Sequence, residues 1–168
     1  ELAHAAKADP FEFLLNTLGD DRHLDLTALK LGNRGADPKE YPYDIGRLKN
    51  VLSRAANNSR WERHAQLPKG KGMGLACCRS FLGYTGHVVE VSVSQDGVVS
   101  VENVWCSIDS GTIVSLDRVH AQVEGATIMG ISQAMYGEMP MKKGRAIHSN
   151  FDGFQVAKMG DAPQAIHV

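Results

Sequence analysis

The run from Trp105 to Glu138 constrains this chain more than any other stretch. Strand-like residues end in an Asp109-Ser110-Gly111 turn and lead into a long helical pattern, Asp117 to Glu138, that carries Gln122 and Glu124 among small residues. Glycine inside a helix costs roughly 1 kcal/mol relative to alanine, yet Gly125 and Gly130 lie in its interior. A helix that is small or apolar around much of its circumference is expected to be buried, with another protein element or a bound cofactor close to its backbone.

The rest of the chain reads as α+β: N-terminal helices, an antiparallel β-hairpin or sheet, and that buried helix. Asp9-Pro10-x-Glu12 supplies an N-cap, a proline at the first helical position and a carboxylate in the first turn, before the apolar run Phe11 to Leu18 and the stop at Gly19. Asp20 to Tyr43 is irregular and rich in Asp, Gly and Pro, which predicts a long surface loop or a partner-contacting excursion. Asp44 caps a second helix with Ile45, Leu48, Val51, Leu52 and Ala55 at helical spacing. Residues 1–66 thus form a helical segment with a long loop, and residues 67–168 an α+β segment. Within the latter, Leu75 to Phe81 reads as a strand, and His87 to Ser94 alternates Val89, Val91 and Val93 with Glu90, Ser92 and Ser94. Gln95-Asp96-Gly97 turns the chain back into Val98 to Ile108, whose apolar phase shifts as a bulge near Asn103 would cause. Gly144 to Val168 has the punctuation of extended structure.

Several classes of function fall away on composition. A net charge of −1 without a lysine- and arginine-rich stripe argues against nucleic acid as a partner. No run approaches the roughly 18 apolar residues of a membrane span, which predicts a soluble protein and leaves its compartment, cytoplasmic or periplasmic, open. Three cysteines, with Cys77 and Cys78 adjacent, fit neither a disulfide framework nor a C-x-x-C zinc spacing, and read as small reduced core residues. The seven histidines lack metal-site spacing, so no metal ligand is expected. Leu67 to Gly74 is a glycine-bearing connector that precedes a strand, not a helix, and lacks the Walker spacing, so it does not read as a nucleotide loop. Glu1 is not an initiator methionine and Glu1-Leu-Ala-His-Ala-Ala-Lys7 opens inside a helical pattern, so the chain is expected to be a segment of a longer polypeptide. Such a segment leaves former interfaces bare, and self-association as a homo-dimer is expected of it.

Two readings of the helix stand side by side. Gln122 and Glu124 either satisfy nearby backbone groups at the margin of a buried helix, or Gln122 offers its amide to a polar cofactor that Gly125 and Gly130 allow to come close. Asp109-Ser110-Gly111 reads first as a strand-ending turn. No G-x-S-x-G elbow is present, and Cys77 and Cys78 have no assignable base.

The order of several short motifs goes further. Glu1-Leu-Ala-His-Ala-Ala-Lys with Asp9-Pro10-x-Glu12-Phe13, Gly72-x-Gly-x-Ala with Ser80-Phe81, and His87-Val-Val-Glu-Val-Ser-Val93 are followed by Val104-x-Cys-x-Ile-Asp-x-Gly111, Ala121-Gln-Val-Glu-Gly-Ala126, Ser149-Asn-Phe-Asp152 and Asp161-Ala-Pro163. Together they resemble the molybdenum-binding large subunit of the xanthine oxidase and aldehyde oxidoreductase family, most closely its bacterial isoquinoline 1-oxidoreductase beta-subunit branch. The sequence departs from that pattern where an Asn-Pro pair is replaced by Ser115-Leu116 and a common cysteine by Ser110.

The resemblance implies a piece of the aldehyde oxidase/xanthine dehydrogenase molybdopterin-binding domain, with Gln122 beside the pterin, Gly125 admitting it, and Asp109 and Gly111 forming the cofactor-side turn. It implies an oxidoreductase that oxidises aldehydes or hydroxylates N-heterocycles, with molybdenum held by molybdopterin in its cytosine dinucleotide form. Electrons would leave through an iron–sulfur small subunit, and the remainder of the large subunit would complete the pocket. The family's catalytic glutamate is expected beyond Val168, so no catalytic residue is expected within the chain, and the isolated segment is expected to hold no cofactor. The competing expectation is a stand-alone binding module that keeps the fold without the chemistry.

Overall fold

The computed structural model describes all 168 residues. A short helix α1 (Leu2–Ala5) precedes α2 (Pro10–Leu18). Asp9 caps α2 as expected, its carboxylate accepting the N–H groups of Phe11 at 2.8 Å and Glu12 at 3.0 Å. The same carboxylate accepts the indole N–H of Trp61 at 3.1 Å, which docks α2 onto the short 3-10 helix Trp61–Gln66. The long loop is largely irregular, pinned by a two-residue ladder between β1 (His23–Leu24) and β2 (Tyr43–Asp44) and by the buried Leu26 and Asn33. Asp44 then caps α3 (Ile45–Ser59) by accepting the Arg47 N–H at 3.1 Å, and α3 buries one stripe that includes Leu48, Val51, Leu52 and Ala55.

The main sheet has the order β3 (Lys71–Ser80), β4 (Gly83–Val93), β5 (Val99–Asp109) and β8 (Ala165–His167), the first three antiparallel. The expected hairpin is present and turns at Gly97 with φ +80°. Its bulge is also present, because Glu90 pairs with Asn103 while Val91 pairs with Val101, leaving Glu102 unopposed. The freed Glu102 accepts from Ser92 Oγ and from the Gln164 side chain, each at 2.5 Å, and so delivers β8 (Ala165–His167) to β5 as a parallel edge strand.

The two faces of this sheet differ. On the first, Tyr84, Gly86, Val88 and Glu90 of β4 are buried beneath α3. The alternation along β4 is thus as expected, but its more deeply buried side is the one carrying Glu90, not the valine side. A pair of ions accounts for this: Arg63 reaches Glu90 with both terminal nitrogens, at 3.0 and 2.8 Å, so a carboxylate is tolerated where only 6% of the residue is exposed. Helix α3 approaches β4 so closely that a Cβ on Gly86 would sit 2.5 Å from the Val51 carbonyl oxygen and 2.7 Å from the Leu52 Cα. Tyr84, wholly buried, donates its hydroxyl to the Pro42 carbonyl at 3.0 Å and accepts the Asp44 N–H at 2.8 Å, which fixes the end of the long loop to the sheet.

The second face carries α4 (Leu116–Tyr136), followed by a minor hairpin of β6 (Met141–Lys142) and β7 (Arg145–Ala146). Helix α4 forms where the sequence predicts it, but its expected burial is corrected: only Val123, Thr127 and Ile131 are buried, and Gln122, Glu124 and Gly125 are exposed. The buried residues recur every fourth position, so they make one narrow stripe, while a Cβ built on Gly125 or Gly130 would meet no atom within 4 Å. Two further differences are local. Strand β3 starts at Lys71 and takes in Gly72 and Gly74 of the connector, and Cys78 is exposed while Cys106 is buried. Helix α4 is tethered to the C-terminal segment by Tyr136, whose hydroxyl donates to Asp161 at 2.7 Å, and by Ser132, whose oxygen accepts the Ala157 N–H at 2.9 Å.

The close approach at Gly86 generates a stability prediction. Gly86→Ala places a methyl against backbone atoms of α3 and forces the helix off the sheet, which is expected to cost about 2–3 kcal/mol. Gly125→Ala is its control, since a Cβ there meets no atom within 4 Å. Chemical denaturation of both variants checks this, with a large shift of the midpoint expected only for Gly86→Ala.

Candidate functional site

The turn that ends β5 is held by an arginine from α3. Arg47 Nε donates to Asp109 Oδ2 at 2.8 Å and its Nη2 to Oδ1 at 2.6 Å, while the Gly111 N–H reaches Oδ1 at 3.2 Å. The guanidinium also lies 4.6 Å from the centroid of the Tyr84 ring. Asp109 is therefore a positioning carboxylate: it is saturated by Arg47 and orients the backbone of the turn, and does not present a free oxygen pair. The Arg47 hydrogen bonds hold its carboxyl below the usual range, and burial, which acts the other way, is the smaller influence. Gly111 adopts φ +84° and has open space where a Cβ would lie, so the outer side of the turn is accessible backbone.

Beyond the turn, α4 starts after Ser115, whose side chain does not cap it. Gln122 and Gly125 lie three residues apart on α4 and share its outward side, away from the Val123–Thr127–Ile131 stripe. The Gln122 amide is exposed and makes no hydrogen bond within the chain, and no atom lies within 4 Å of a Cβ built on Gly125. This arrangement removes the first of the two sequence readings, in which Gln122 satisfied backbone groups of a buried helix. The larger cavities place Gly111 and Gln122 in no common lining. The structure thus brings Asp109 and Gly111 together in one turn and Gln122 and Gly125 together on one helix face, as two separate accessible surfaces.

A third feature had no signature in the sequence. The connection between β3 and β4 is made by Phe81 and Leu82 alone, both with positive φ, and beside it lies a cleft of ≈ 520 Å³ that also includes Ser110 and Gly111. Neither Phe81 nor Leu82 signals a tight hairpin turn, which is normally read from Asn-Gly or Asp-Gly. A fourth, between α4 and the hairpin, is a groove of ≈ 510 Å³ lined almost wholly by apolar side chains such as Val89, Val101 and Ile131.

Residues 55–163, from the end of α3 through α4 to the C-terminal segment, match the model of the molybdopterin cofactor-binding domain. The chain belongs to that family. All four candidate residues, Asp109, Gly111, Gln122 and Gly125, lie inside the matched range. The chain is 35% identical over 120 residues to isoquinoline 1-oxidoreductase subunit beta of Brevundimonas diminuta, an alignment covering 70% of this chain and 15% of that protein. It is 27% identical over 172 residues to the membrane-bound aldehyde dehydrogenase [pyrroloquinoline-quinone] of Gluconacetobacter polyoxogenes, covering 98% of this chain and 20% of that one. Among solved structures it is similar to quinoline 2-oxidoreductase from Pseudomonas putida 86, with a TM-score of 0.47 and 20% identity over 51% of this chain and 12% of the other. The chain therefore spans a fifth or less of the length of these relatives. No helix is long and apolar enough to cross a membrane.

The two arginine–carboxylate pairs contribute to the acid response of this domain, beside Asp9, Asp161 and His87, which also titrate below their ordinary values. Both Asp109 and Glu90 titrate below their ordinary values of 3.8 and 4.5, each because of its hydrogen-bonded arginine. A carboxylate depressed in the folded state stabilises above its unfolded pKa, and that contribution is lost as pH falls through the folded one. The urea midpoint is thus expected to fall on acidification, first below about pH 6.5 as the buried His87 imidazole is made to charge, and then further toward about pH 3 as the paired carboxylates protonate. Asp109→Asn and Glu90→Gln should each flatten that later drop. Variants with the wild-type acid profile would contradict the assignment.

Proposed function

We propose that the chain is part of the large subunit of a molybdenum hydroxylase, an oxidoreductase that oxidises aldehydes or hydroxylates N-heterocycles such as isoquinoline. In this reading the outward face of α4 forms one wall of the molybdopterin pocket. The observation that carries it is the pairing of an exposed, unpartnered Gln122 amide with the open backbone at Gly125, inside a molybdopterin cofactor-binding domain. The residues present fit such a group. A planar, polar ring system needs a donor–acceptor side chain and room to lie against backbone, and Gln122 with Gly125 offers both. The accessible backbone of Ser110 and Gly111, held in place through Asp109 and Arg47, is the second wall element.

Bound there, the cofactor would supply the molybdenum redox centre, in the cytosine dinucleotide form. The tasks of this chain are narrower. Gln122 orients the cofactor through its amide, Gly125 keeps the helix surface flat, and Asp109, tied to Arg47 of α3, holds the turn in place. The catalytic base and the remaining walls come from the rest of the large subunit, and an iron–sulfur subunit takes the electrons. Val114 (95% exposed), Met129 (64%), Phe151 (82%) and Met159 (91%) mark the surfaces that these neighbours, or a second copy of the isolated chain, would cover.

Replacing Gln122 tests the reading in the intact enzyme. Leaving a cofactor polar group unpaired costs about 1–3 kcal/mol, so Gln122→Ala is expected to lower molybdenum content or turnover by roughly tenfold or more. As an exposed substitution it should change folding stability by no more than about 0.5 kcal/mol. Gln133→Ala, on the same helix and also exposed, serves as the control and should leave both quantities unchanged. Full molybdenum occupancy with normal turnover in Gln122→Ala would remove the cofactor role.

A further inference from the structure

We propose that the outer edge of β3 accepts an extended segment of further polypeptide, one whose bulky side chains alternate along it and whose two ends carry carboxylates. The argument begins with the backbone. Strand β3 stands at the end of the sheet order and pairs on one side only, with β4. The Val93 N–H donates to the Gly70 carbonyl at 2.7 Å, so in the antiparallel ladder that follows the even-numbered residues of β3 turn their N–H and C=O groups to β4. The odd-numbered Met73, Leu75, Cys77 and Arg79 turn theirs outward, and these groups make no backbone hydrogen bond outside the sheet. At ten residues the edge is long, and it has neither the proline nor the bulge that commonly blunts one.

The side chains along the edge select the strand that fits. Gly72, Gly74, Ala76 and Cys78 lie on the α4 face and are all small. A Cβ on Gly74 would meet no atom within 4 Å, and one on Gly72 only the Val91 side chain at 3.8 Å. Bulky residues on an added strand would fill that space and reach toward Val89 and Val91, the cross-strand partners of the two glycines. On the other face Met73 and Leu75 already pack against the core beneath α3, so no bulk is needed there. Charge fixes the two ends. Lys71 and Arg79 close the odd-numbered row, and neither forms an ion pair. Arg79 donates only to neutral oxygens, those of the Asn33 side chain and the Tyr41 carbonyl. Acidic residues opposite these two cations complete the match. The same features disfavour a second copy of this chain, because a two-fold register centred on Leu75 sets Lys71 against Arg79 and Gly74 against Ala76. That the segment comes from the remainder of the large subunit rests on the function proposed above, whereas the preference of the edge does not. This chain spans a fifth or less of its curated relatives, which leaves ample polypeptide to supply the strand.

The test titrates the chain with the peptide Glu-Val-Thr-Val-Thr-Val-Thr-Val-Glu, which matches residues 71–79 in either direction, and follows backbone amides. Saturable shifts of the Met73, Leu75, Cys77 and Arg79 amides are expected. Modified peptides keep the fold of the protein out of the result. N-methylating the three threonines removes the N–H groups that would face β3 and should weaken binding about tenfold or more, whereas N-methylating three of the valines, whose N–H groups point away, should weaken it far less. Replacing both glutamates with lysine should weaken binding roughly threefold, and Lys71→Glu, an exposed change, should remove most of that difference. Absence of saturable shifts along the β3 edge, equal loss on methylating threonines or valines, or tighter binding of the lysine-flanked peptide would each overturn the proposal. Slower exchange of these amides as the isolated chain is concentrated would also overturn it, by giving the edge to a second copy. In the intact enzyme the four amides should exchange at least about tenfold more slowly than in the isolated chain. Equal exchange would overturn the proposal even in an enzyme that turns over its substrate. Protected amides in an enzyme that turns over neither aldehydes nor N-heterocycles would instead sink the reaction proposed above and support the strand pairing.

Discussion

The contact of the α3 backbone with β4 at Gly86 is the constraint on which the rest of this structure depends. It is flanked by two bidentate ion pairs, Arg47–Asp109 toward one end of the sheet and Arg63–Glu90 toward the other. Arg47 of α3 and Arg63 of the short helix after it thus join this layer to the sheet on either side of Gly86. Between them the buried side chains of Leu48, Val51, Ala55 and Val88 exclude water and strengthen the electrostatics at both ends. Arg47–Asp109 links this packing to the accessible turn, because the same carboxylate that anchors the helix also orients Gly111.

The molecule is correspondingly lopsided. The α3 face of the sheet is close-packed, while the α4 face makes contact through a single stripe and leaves an apolar groove beside it. Even within α4 the buried Thr127 satisfies its hydroxyl locally, donating to the Val123 carbonyl at 2.8 Å, and does not reach the sheet. Such a division is what a cofactor wall requires: a rigid layer that sets the geometry, and a second layer whose small residues remain open to a group supplied from outside. It also explains why so few of the large apolar side chains after Ile113 are covered within the chain.

What could be read from the sequence was local. The caps at Asp9 and Asp44, the hairpin around Gly97 and the bulge opposite Glu90 are each signalled within a few residues, and each is present. The misreadings concern partners far apart in sequence. The burial of Glu90 has no local signal, because its partner Arg63 lies 27 residues earlier. Helix α4 was expected to be buried because small residues indicate close packing without saying whether the packing partner belongs to the same chain. Likewise the roles of Gln122 and Gly125 could not be separated from a structural reading by spacing alone, and only the ordered motifs pointed to a cofactor. The Phe81–Leu82 turn escaped for a different reason, since its residue types contradict its backbone conformation.

The central claim is that the outward face of α4 is a cofactor surface carried by an α3-clamped sheet. Hydrogen–deuterium exchange on the intact enzyme, compared with and without molybdopterin, tests it most directly. The account predicts that cofactor binding slows exchange around residues 121–126 and 110–112, while the already protected α3 changes little. Equal exchange at 121–126 in the two states, or protection confined to the α3 face, would contradict it.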